Sequence, residues 1–82
     1  MGNPGWRWVE SCGGFGGYWR AEVGGKILDV WTDRNGVAHA DCPDLGPRVP
    51  CPAGVDPRTY AARWMAARLR ELAAEAEALA VD

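Results

Sequence analysis

A chain of 82 residues has room for one domain and not for two cores, so residues 1–82 are read as a single unit. With 48% hydrophobic and 24% charged residues it is not a disordered chain. Nine Lys and Arg against eleven Asp and Glu, a net charge of −2, exclude a chain-wide electrostatic footprint for nucleic acid.

The segment from Trp6 to Cys12 alternates large and polar side chains and predicts a first strand. Gly13, Gly14, Gly16 and Gly17 around Phe15 predict a hairpin turn. Tyr18 to Val23 alternates again as a second strand, and the Gly24-Gly25 pair suits a tight two-residue hairpin. Lys26 to Thr32, rich in β-branched and aromatic residues, predicts a third strand. Asp33-Arg34-Asn35-Gly36 is a turn sequence, and Val37 to Ala40 a short fourth strand. The expected sheet is thus a three- to four-stranded antiparallel meander over 6–40.

Between 41 and 55 the prolines Pro43, Pro47, Pro50 and Pro52 cannot donate to a ladder, which predicts a stiff connector without strands. Asp56-Pro57 then combines a capping side chain with the residue that best fits a first helical turn. Ala, Arg, Leu and Glu dominate to the end, so one long helix is expected over 56–80. Met65, Leu69, Leu72, Ala76 and Leu79 fall on one stripe, the natural lid for the sheet, with Tyr60 and Trp64 beside it. The fold class is α+β, a meander packed by one C-terminal helix. The order of elements resembles, in topology alone, the small β-β-β-α DNA-binding domains of phage-type integrases, whose sheet enters the major groove.

No apolar run approaches the ~20 residues that span a bilayer, and Met1 to Trp8 lacks the pattern of a signal peptide. No membrane association and a cytoplasmic protein are therefore expected.

Strand alternation sorts the sheet into two faces. Trp19, Ala21, Val23, Leu28 and Val30 form the charge-free set expected to face the core. Tyr18, Arg20, Glu22, Ile27, Asp29 and Trp31 point the other way, while Trp6 and Trp8 share a face that the pattern does not assign.

Cys12, His39, Cys42 and Cys51 are the soft metal ligands and form the alternative of a zinc-stabilised domain, although no Cys-x2-Cys knuckle is present. Small apolar core cysteines are the simpler reading, and no cofactor is expected. His39 is the single histidine; with Ser11 or Cys12 it would need contact and an orienting carboxylate to act as a nucleophilic site, and no spacing argues for one. The Gly13–Gly17 loop precedes a strand rather than a helix, which is not a phosphate cradle. A catalytic role is not expected.

Two features point to binding. Trp6, Arg7, Trp8, Tyr18, Arg20 and Trp31 interleave aromatic and basic side chains, the chemistry that stacks and neutralises single-stranded nucleic acid, although Glu10, Glu22 and Asp29 share those strands. In the helix, Arg58, Arg63, Arg68 and Arg70 precede Glu71, Glu75, Glu77 and Asp82, the reverse of what the helix dipole favours. Antiparallel pairing of two such helices would set each basic half against an acidic one. The expectation is a small non-enzymatic protein-binding module or regulator, its partner another protein or a second copy, engaging through Trp6, Arg7, Trp8, Tyr18, Arg20, Trp31, Arg63 and Arg70. Nucleic acid is the alternative partner.

Overall fold

A computed structural model describes residues 5–11 and 16–81. Strands β1 (Arg7–Glu10), β2 (Gly17–Val23), β3 (Lys26–Thr32) and β4 (Ala38–Asp41) are followed by a 3₁₀ turn (Pro43–Leu45), β5 (Val49–Pro50) and helix α1 (Pro57–Glu77). All five strands form one antiparallel sheet in chain order. The architecture is the α+β meander plus C-terminal helix that the sequence predicts.

Short connections set the register. Gly24 and Gly25 both have positive φ, 57° and 80°, which is the backbone of a two-residue turn joining Val23 to Lys26. At the next hairpin the carboxylate of Asp33 accepts from the backbone N–H of Asn35 and Val37, at 2.8 and 3.0 Å, and holds the loop closed. The predicted turn between β1 and β2 falls partly on residues 12–15, outside the described residues. Gly17 itself is in β2, where a side chain has no room: a Cβ there would collide with the carbonyl oxygen of Val9.

The connector departs from expectation. Val49 and Pro50 pair with Ala40 and His39 as a fifth strand, and Cys51 N–H donates to the carbonyl of Ala38 at 2.8 Å. Proline breaks a ladder only where both edges must pair; β5 is the outer strand, so the donor that Pro50 lacks is not required. The fourth strand is shifted by one residue, to Ala38–Asp41.

Register assigns the faces. Trp19 opposes Val30, Ala21 opposes Leu28, and Val30 opposes Ala40, giving the inner face. Trp8 opposes Trp19 and so belongs to it, as does Trp6 two residues earlier. Leu28, Val30, Ala40, Cys42, Leu45, Cys51, Ala61 and Met65 form the buried core, with Trp6, Trp19, Tyr60, Trp64, Leu69 and Leu72 packed around it.

Helix α1 starts where Asp56 accepts from the N–H of Arg58 at 2.9 Å. It packs on β3, β4 and the 3₁₀ turn. Its 21 residues extend about 31 Å, against about 23 Å for a seven-residue strand, so it outruns the sheet. Met65 is 2% exposed and Leu79, on the same stripe, 81%. The predicted lid is a lid over its first half only. Among the described residues, no helix is long and apolar enough to cross a membrane.

Candidate functional site

Five strands at ~4.8 Å spacing make an inner face roughly 20 Å or more across, whereas a helix with its side chains is about 10–12 Å wide. One helix over β3 and β4 therefore leaves the inner face of β1 and β2 beside it. Trp6, Trp8, Trp19, Ala21 and Val23 lie on that strip. Trp8 is 50% exposed and Val23 36%, both inner-face residues that a second covering element would bury.

The strip and the flank of α1 enclose two grooves that share Trp6 as a boundary. One, of about 190 Å³, lies between Trp6, Val23 and Leu28 on one side and Ala62, Ala66 and Leu69 on the other. The side chains that line it are all apolar, and its volume is comparable to the roughly 150 Å³ that holds a benzene ring in an engineered core cavity. The second, shallower groove is bordered by Arg58, Thr59 and Arg63 on the helix. Past it, Trp8 meets Trp19 edge-to-face with centroids 5.2 Å apart, and the guanidinium of Arg58 sits 4.6 Å above Trp19. The result is a trough with an apolar floor and a basic rim. Asp56 is the acid on that rim, and its carboxylate is committed to the Arg58 N–H and, at 3.6 Å, to the Arg58 side chain.

The reversed charges of the helix now divide. Arg58 lies on Trp19, and Arg68 donates to the carbonyl of Leu45 at 3.1 Å and to Glu71 at 2.9 Å. Arg63 and Arg70 are exposed and have no partner among the described residues. Beyond Leu72 every residue through Val81 is exposed, Glu75 and Glu77 included.

The outer face is differently built. Arg7, Tyr18, Arg20 and Trp31 lie on it, opposite to Trp6 and Trp8, so the six aromatic and basic residues expected to form one nucleic-acid surface are divided between two faces. Their groups are engaged with one another. Arg20 donates to both carboxylate oxygens of Asp29 opposite it, at 2.8 and 3.0 Å, while resting on Tyr18 at 5.2 Å. Trp31 is stacked on His39 at 4.6 Å and covered by Arg48 at 5.2 Å.

His39 Nε2 donates to Asp33 Oδ2 at 2.9 Å, a contact the sequence reading missed although the two residues flank one hairpin. That bond, with the N–H groups of Val37 and Asn35, holds the Asp33 carboxyl below the usual range. His39 Nδ1 is buried without a partner among the described residues. Of the two candidate nucleophiles Cys12 lies outside the described residues, and Ser11 is out of reach of the pair: its hydroxyl donates to the carbonyl of Gly16 on the far edge, with β2 and β3 between β1 and β4, roughly 14 Å at strand spacing.

Among the described residues the zinc set does not assemble. His39 is on the outer face, whereas Cys42 and Cys51 are buried in the core on the other side of the sheet, and Cys12 lies outside the described residues. Among the described residues no cluster of His, Cys, Asp or Glu is placed to hold a metal ion. Burial pushes both thiols up, as expected of apolar core members.

Comparison of the chain with protein-family models, curated proteins and solved structures finds no match.

Proposed function

We propose that this protein is a protein-binding module whose docking site is the trough between α1 and strands β1 and β2, and that its partner presents an amphipathic helix with an acidic flank. The half-covered inner face carries this reading. Its three tryptophans, Trp6, Trp8 and Trp19, are the residue type most enriched at the centres of protein interfaces. An apolar strip beside an existing helix is the complement of another helix, because helix-on-sheet packing is how this same face is covered over β3 and β4. Arg63 on the rim, which has no partner among the described residues, favours carboxylates on the incoming segment.

The outer face, by contrast, is poorly suited to single-stranded nucleic acid. The outer face offers phosphate an Arg20 already paired with Asp29, and it also carries Glu22 and Asp41. Photocrosslinking tests the assignment. A p-benzoylphenylalanine probe replacing Ala62, in the trough, should yield protein adducts in cells of the native host. The same probe replacing Ile27, on the outer face, should not. Adducts from Ile27 alone, or a nucleic-acid adduct from Ala62, overturn the reading.

A further inference from the structure

Resting on the trough reading, we infer that the helix that fills the trough is the C-terminal half of α1 from a second copy of this chain, laid antiparallel across a two-fold axis near residue 71. Three features of α1 lead there. First, the protruding half of the helix has the required chemistry. Leu72 is the last residue of the stripe packed against the core; Ala76 and, two residues past the end of the helix, Leu79 continue it in exposed positions, and Glu75 and Glu77 flank it. It is an acidic amphipathic segment without a surface of its own to cover, next to a basic-rimmed apolar trough without a cover.

Second, the flank of α1 that borders the trough is spaced for a helix partner. Ala62, Ala66, Leu69, Ala73 and Ala76 follow one another at steps of four and three, which keeps them on a single seam along the helix, and Ala80 continues the spacing in the turn that follows Glu77. Five of the six are alanine, so two backbones can approach closely there. The series reads the same in both directions about residue 71. An antiparallel copy therefore sets Ala62 against Ala80, Ala66 against Ala76, and Leu69 against Ala73, each pair occurring twice.

Third, that register makes the charges complementary. Arg63 falls within a turn of Glu77 from the second copy, on the same flank of the seam, and the two-fold axis makes that contact twice over. Arg63 is exposed and has no internal partner among the described residues. The reversed order of charge along the helix, unfavourable to its own dipole, is thereby matched by a second helix running the other way. An isologous contact of this kind closes on itself and stops at the dimer.

Sedimentation velocity over a wide range of protein concentration tests the inference. The natural chain should pass from monomer to dimer and no further. Arg63→Glu and Glu77→Arg should each weaken the dimer about tenfold, because each reversal acts twice and replaces attraction by repulsion. The two together should restore it. Both side chains are exposed, so folding should survive, as circular dichroism would show. A chain that stays monomeric throughout, or a double variant no better than the singles, overturns self-pairing. Mixing isotopically light and heavy chains that carry the probe at Ala62 separates the two levels. Light-to-heavy adducts mapping to residues 72–81 support self-pairing. Adducts to another protein with none between copies overturn self-pairing and leave the trough reading standing; an absence of any protein adduct overturns both.

Discussion

Asp33 shows how one side chain can organise a hairpin and tie it to the sheet. Its Oδ1 accepts from Asn35 and Val37 in the loop, and its Oδ2 accepts from His39 on β4, which is stacked in turn on Trp31. These bonds are made to the ionised carboxylate, so the folded state holds the group below its unfolded value. A carboxyl depressed in this way adds stability above its unfolded pKa, and the contribution is lost as pH falls through the folded one. Asp33→Asn keeps one acceptor oxygen and removes the charge. Urea midpoints should show the variant less stable than the natural chain near pH 7, with the difference shrinking as pH drops below about 4. A difference that stayed constant down to pH 3 would mean that Asp33 acts through shape alone.

At the scale of the element, the apolar stripe of α1 is continuous in sequence but serves two purposes. Met65 is buried against the sheet, while Leu79 lies beyond its end. Met65→Ala should cost about 2–5 kcal/mol of unfolding free energy. Leu79→Ser, measured on dilute chain, should stay within about 0.5 kcal/mol. Comparable losses at both positions would show that the C-terminal half is covered within the monomer. Periodicity made the helix, its Asp56 cap and the stripe legible, because these depend on neighbours three and four residues away. It could not place the end of the lid, which depends on how far the strands extend. The fifth strand was illegible for a related reason: Pro50 reads as a ladder breaker until its place at the sheet's edge is known. The zinc set shows the same limit, since spacing along the chain does not reveal that His39 and the two buried cysteines stand on opposite sides of β4.

For the whole molecule, the governing mismatch is between a five-stranded sheet and a single helix. Trp6 and Trp8 were legible as sharing a face, and register with Trp19 supplied which one. The trough itself was not, because it depends on which strands α1 covers, a matter of tertiary packing rather than local pattern. Surfaces kept open for a partner are commonly less stable than they could be, and filling them trades function for stability. Ala66 lines the 190 Å³ groove opposite Val23 and Leu28. Leucine is nearly as good a helix former as alanine, so Ala66→Leu changes mainly the packing. In dilute solution the larger side chain should enter the groove and raise unfolding free energy by about 0.5–2 kcal/mol, read from urea melts. The same side chain occupies the space a docking helix needs and interrupts the alanine seam. Sedimentation should therefore show weaker association of this more stable chain. A variant that gained stability and still paired as well as the natural chain would move the docking surface away from this groove.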